Sequence, residues 1–314
     1  MAASASQLAL FALHARDQGF GVRRESPIPR ILDKSRVSAS VVSVRHDLVF
    51  STRRSSGSCA GFGLLQNMGS VAPLPQQHQL GYDLLMSAVT LSGALGSLRF
   101  FDELAKRDVF DKKLSRKLVH ICVGLIFMLF WPLFSDAPRA RYLAAIAPLT
   151  NALRMVAFGT GLLENKAFVK AVSRDGHPRE LLKGPLYYAI TISIATLFFW
   201  RNSPCGVVTI ANLCAGDGFA DIFGRKYGRW KLPYNPNKSL QGSVAMFVMS
   251  AAFSMLYTFL FSQLGYFDMG VRTIIGIVAV SLATTVVESL PISSALDDNL
   301  TVPATAMAVG LLTL

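Results

Sequence analysis

GSVAMFVMSAAFSMLYTFLF, residues 242–261, carries no charged side chain. Crossing the hydrocarbon core of a bilayer takes about 20 apolar residues in a helix. Similar runs occupy residues 82–100, 118–134, 142–158, 185–200, 271–287 and 300–314, with a shorter one at 204–215. The expected fold is therefore all-α: a multi-pass transmembrane helix bundle of about 7–8 spans. Pro148 inside one run predicts a kink that neighbouring helices satisfy. Trp131, Trp200, Tyr187 and Tyr188 fall near span ends, where interfacial aromatics gather.

The composition agrees. Of 314 residues, 52% are hydrophobic and 16% charged, against about 25% charged in a soluble domain. The formal net charge is +12. Its Lys and Arg lie in the N-terminal stretch and between the apolar runs, with no basic-aromatic module for stacking on single strands, so no nucleic-acid partner is expected. Cys59, Cys122, Cys205 and Cys214 form no CxxC pair; neither a disulfide framework nor a zinc site is read.

Residues 1–60 read as an address. They are rich in Ser and Ala, with many basic residues (Arg16, Arg23, Arg24, Arg30, Lys34, Arg36) and few acidic ones (Asp17, Glu25, Asp33, Asp47). That is the composition of a transit peptide, expected to be disordered, and the MAAS start points to the chloroplast. Residues 61–81 read as a linker and 82–314 as the membrane domain.

Threading the chain through a membrane, with 204–215 counted as a crossing, puts the basic loops 99–117, 165–183 and 216–238 on one side. The loops 135–141, 201–203 and 262–270 fall on the other, as the positive-inside rule expects. The same threading brings Glu288, Asp297, Asp298 and Asn299 to the basic side. Every dense polar cluster after the first span thus meets one membrane face.

The chemistry concentrates just before the opening stretch, in ANLCAGDGFADIFGRKYGRWKLPYNPNKSLQGS, residues 211–243. Asp217 and Asp221 are four apart and share a face on a helix. Two such carboxylates repel unless a cation joins them, and Mg2+ takes one or two carboxylates together with substrate phosphates. Both are therefore candidate metal ligands. Gly216 and Gly218 would let backbone N–H groups approach phosphate oxygens, and Arg225, Lys226 and Lys238 would supply positive charge. Lys238-Ser239 followed by Gly242 resembles half of a phosphate-binding loop, although the full GxxxxGK[ST] pattern is absent.

Arg116-Lys117 at the second span read alone as flanking charges; beside the other clusters they read as phosphate ligands. His120, four residues from Arg116, would orient the acceptor hydroxyl. Glu288 ends an apolar run, where an acid is costly unless paired or solvated. With Asp298 it completes the candidate catalytic set of Asp217, Asp221, Glu288 and Asp298, for metal coordination or base catalysis.

GDGFADIFGRKYG with NKSLQGS, RKLVH upstream and VESLPISSALDDNLTVP downstream resemble the polyprenol kinase family, which includes phytol, farnesol and dolichol kinases. The resemblance runs from about Tyr82 onward, and the plastid-type leader draws it toward the chloroplast phytol kinases. It implies transfer of a phosphoryl group from CTP, or another nucleoside triphosphate, with Mg2+, to phytol in the bilayer, the product feeding tocopherol synthesis in a chloroplast membrane. A farnesol or other polyprenol kinase and a CTP-dependent lipid cytidylyltransferase are the alternatives. A transporter fits less well, because its polar residues would lie near the midplane rather than at one face.

Overall fold

The computed structural model describes residues 76–107, 111–173, 176–291 and 296–314. The leader expected at 1–60 and the linker as far as residue 75 lie outside them. Among the described residues, seven helical segments are long and apolar enough to span a membrane: His78–Phe101, Lys113–Leu133, Ala140–Gly159, Pro178–Phe199, Pro204–Tyr227, Leu240–Gln263 and Val271–Ser289. Each falls on one of the apolar runs, and the bundle is helical as the sequence predicts.

The helices are α1 (Gln76–Lys106), α2 (Lys112–Phe130), α3 (Ala140–Ala144) and α4 (Ile146–Gly159). There follow α5 (Lys166–Val172) and α6 (Gly184–Ile194), then α7 (Pro204–Ala211) and α8 (Asp217–Tyr227), joined by a π-helical turn, Asn212–Gly216. After a hairpin of β1 (Lys231–Leu232) and β2 (Asn235–Ser239) come α9 (Leu240–Gln263), α10 (Val271–Ser289) and the shorter α11 (Asp298–Thr313).

Two boundaries differ from the sequence reading. The first helix begins at Gln76, ahead of the run expected at 82. The fifth span continues through Asp217 and Asp221 to Tyr227, so these acids stand on a helix and not in a loop. The reason is position. This helix is the axis of the bundle, with all of residues 205–218 buried. A helix surrounded on every side need not show a polar face, and its acids find partners on other helices. α9 shows the ordinary arrangement, burying Met246, Ser250, Tyr257 and Phe261 inside while Val244, Val248, Leu256 and Phe259 face outward.

At the face opposite the acids, Arg201 is buried. It donates to the carbonyls of Trp131 (3.0 Å), Phe134 (2.6 Å) and Ser135 (2.8 Å) and to Asp136 Oδ1 (2.6 Å). Its guanidinium lies over the Tyr266 ring at 4.7 Å. One side chain thereby satisfies carbonyls that the end of a helix leaves open and ties three interhelical turns together. Arg201→Ala is expected to lower stability by about 3 kcal/mol, because carbonyls and a carboxylate lose their shared donor. Thermal unfolding in detergent or nanodiscs checks this; an unchanged midpoint contradicts it.

Candidate active site

The site is built where α2 meets α8. Lys117 and His120, three apart, face Asp217 and Asp221, four apart, so two adjacent stripes on two helices oppose each other. Lys117 Nζ is 2.9 Å from Asp217 Oδ2 and 3.9 Å from Asp221 Oδ2. His120 Nε2 lies 3.3 Å from Asp217 Oδ2 and 3.0 Å from the Leu213 carbonyl. Its ring packs on Tyr188, whose hydroxyl donates to the His120 carbonyl at 2.8 Å. His120 is thus a brace for Asp217. Arg225, one turn along α8, holds Asp221 Oδ1 at 2.7 Å.

The helices approach this closely because of glycine. A methyl group at Gly218 would come within 2.2 Å of Ile121, and one at Gly216 within 2.1 Å of Ser250 Oγ. These two positions, expected to cradle phosphate, serve close helix packing here. A methyl group at Gly242 on α9 would likewise come within 3.1 Å of the Ala220 carbonyl oxygen and 3.2 Å of the Gly224 Cα on α8.

The second half of the site hangs on the hairpin, whose antiparallel register pairs Lys231 with Ser239 and Leu232 with Asn235. Ser239, expected to bind phosphate, caps α9 by accepting from the Gly242 N–H at 3.2 Å; its hydroxyl supplies what the first turn of a helix lacks. Lys238, beside it, reaches between the end of α10 and the start of α11. It makes an ion pair with Glu288 and another with Asp298 Oδ2 at 3.0 Å. Asp297 caps α11, accepting from the Asn299 N–H at 3.0 Å.

The two halves feel each other's charge. Burial, and next the charge of Asp217, push the Asp298 carboxyl up to about 6 against the pull of Lys238. Burial alone would lower the Lys238 ammonium, but Glu288 and then Asp298 outweigh it and hold it above its ordinary value. Asp217, Asp221, Glu288 and Asp298 therefore face Lys117, Lys238 and Arg225 in one array of alternating charge at one membrane face.

Of the residues predicted from sequence, Lys117, His120, Asp217, Asp221, Arg225, Lys238, Glu288 and Asp298 come together. Arg116 lies half-buried at the entry to the same helix. Lys226 is exposed and sits over the Tyr227 ring at 5.3 Å. Asn235 and Tyr188 were not predicted, since the atoms they bind are remote in sequence.

Among the described residues, no group of three His, Cys, Asp or Glu converges to hold a metal ion alone. Open hard-oxygen positions do exist: Asp221 Oδ2, Asp298 Oδ1 and Asn299 Oδ1 are buried and have no hydrogen-bond partner. Hard oxygens of this kind suit magnesium, which takes its remaining ligands from phosphate and water; Asp217 would join Asp221 as a ligand by exchanging Lys117 and His120 for the ion.

Comparison with known proteins gives close relatives. The chain is 54% identical to "Probable phytol kinase 2, chloroplastic" of Oryza sativa subsp. japonica, over 75% of this chain and 78% of that protein. It is 47% identical to "Phytol kinase 1, chloroplastic" of Arabidopsis thaliana, over 74% and 78%. It is also 41% identical to "Farnesol kinase, chloroplastic" of Arabidopsis thaliana, over 91% and 89%. No family model and no solved structure matches it.

Proposed function

The chain belongs to the polyprenol kinase family, and from that premise we propose that it phosphorylates phytol with CTP as donor, as a multi-pass protein of a chloroplast membrane. The observation that carries this reading is Lys238, held between Glu288 and Asp298 on the same face as the Lys117–Asp217 pair. Phosphoryl transfer asks little covalent chemistry of a protein; it asks for positioning and for neutralisation of spread negative charge. Lys117, Lys238 and Arg225 exchange carboxylates for phosphate oxygens when the triphosphate enters from the aqueous side.

The alcohol lies with its tail among the helices and its hydroxyl at the polar face. Its oxygen forms the new bond to the γ-phosphorus as the bond from that phosphorus to the bridging oxygen breaks, and CDP leaves. The hydroxyl proton passes to a carboxylate, for which Asp298 and Glu288, both paired with Lys238, are the candidates. Asp217 and Asp221 would hold Mg2+, which would screen the charge of the triphosphate. Phytyl phosphate is then available for phytyl diphosphate and tocopherol synthesis.

The likeness to a farnesol kinase favours farnesol as a second acceptor. Membranes from cells expressing the chain, given CTP labelled at the γ-phosphate, are expected to form labelled phytyl phosphate. Turnover of farnesol alone would move the acceptor. Label entering lipid only from the α-phosphate would replace the kinase reading with a cytidylyltransferase.

A further inference from the structure

Lys238 sits on an element that cannot hold it in place unaided. A two-stranded hairpin is marginally stable in water at best, and β1 has only Lys231 and Leu232. Yet Lys238 must meet Glu288 on α10, fifty residues later in the chain. Something has to fasten the hairpin to the end of that helix.

The fastening is Asn235, only 2% exposed at the start of β2. Its Nδ2 donates to the carbonyl of Ser289 at 3.0 Å and to that of Leu290 at 3.2 Å. Those are carbonyls at the C-terminal end of α10, where helical geometry leaves acceptors without an internal donor. Its Oδ1 accepts from the Asn237 N–H at 3.2 Å, which shapes the strand one residue before Lys238. The three hydrogen bonds of this side chain therefore go to two tasks: closing the helix that carries Glu288 in its last turn and bending the strand that carries Lys238. Tyr234, next to it, adds a hydroxyl contact to Ser289 Oγ at 3.0 Å.

We infer that Asn235 is a positioning residue that fixes Lys238 against Glu288 by clamping the hairpin to the carbonyl end of α10. The inference rests on the reading of Lys238 as a phosphate-binding group, and it assigns Asn235 no contact with substrate. A shift of about 1 Å in such a support lowers turnover by as much as 10²-fold.

The test uses the full chain in nanodiscs, with Asn235→Ala and, as a side chain of equal size without the donor, Asn235→Asp. An amine-acylating reagent is applied without nucleotide, and the rate at each lysine is read by mass spectrometry. Lys238 is expected to acylate at least severalfold faster in both variants, while Lys117, in the other half of the site, keeps its wild-type rate. In the same preparations kcat/KM for CTP is expected to fall by about 10²-fold, with KM for the alcohol unchanged.

Wild-type reactivity of Lys238, or a parallel rise at Lys117 and Lys238, overturns the positioning role. Failure of both variants to accumulate as folded protein also overturns it, by making Asn235 a folding residue. Lys238→Met separates this inference from the functional reading. If that variant keeps full kinase activity, the phosphate-binding reading falls, whatever the acylation rates say about the clamp.

Discussion

Lys238→Met is expected to lower phytol phosphorylation by about 10³-fold, the scale of losing one preorganised charge from a transition state. The side chain has two roles, and methionine keeps only its length. With nucleotide bound, the ammonium faces the oxygens on which negative charge accumulates. Without nucleotide, it separates Glu288 from Asp298. Its removal leaves a buried acid, Glu288, and a half-buried one, Asp298, without their shared counter-ion, and a carboxylate deprived of its counter-ion takes up a proton more readily. The variant therefore loses a phosphate ligand and, in the same step, part of the ionised form of its candidate proton acceptors.

Lys238→Arg is expected to recover only part of the loss, since a planar guanidinium does not fit a gap shaped for a point charge. Initial rates with labelled CTP, taken beside thermal unfolding, separate lost chemistry from lost folding. Activity within a few-fold of wild type would remove Lys238 from the site.

How far the sequence reveals this molecule depends on where each residue's partners lie. The run 242–261 needs no partner to be legible, because lipid is its environment and composition alone announces it. The helix Pro204–Tyr227 is harder to read, as Gly216, Asp217 and Asp221 interrupt its apolar pattern. They are admissible there because Lys117 and His120 arrive from a helix about a hundred residues earlier. The sequence lists those lysine and histidine side chains but cannot pair them with the acids; only the convergence of loops on one face hinted at it.

Local motifs carry a second, structural use that spacing does not reveal. Glycine and serine near a lysine suggest a phosphate loop, yet Gly216 and Gly218 admit neighbouring helices and Ser239 caps α9. The same residue types meet both needs, and spacing alone does not separate them. Arg201 shows the opposite failure. It reads as one charge in a short turn, but it donates to carbonyls some 66 to 70 residues earlier.

Asp217→Asn is expected to cost about 10³-fold in kcat/KM while leaving the fold intact, and the contrast with Lys238→Met follows from geometry. Asparagine matches aspartate in shape, and its side-chain oxygen still accepts from Lys117, so no acid is left unpaired. What disappears is the negative charge on which Lys117 and His120 converge and which the proposed metal-bound nucleotide needs. The loss should therefore grow at low Mg2+ and shrink, without vanishing, when Mg2+ is raised. Asp221→Asn is expected to be milder, near tenfold to a hundredfold, because Arg225 already neutralises Asp221 at 2.7 Å and Lys117 is 3.9 Å away from it. Rates across a Mg2+ titration, set beside unfolding midpoints that stay at the wild-type value, decide the matter. If both variants lost activity equally at every Mg2+ concentration, Asp217 would be acting on the packing of α2 against α8, and its proposed role as a metal ligand would be wrong.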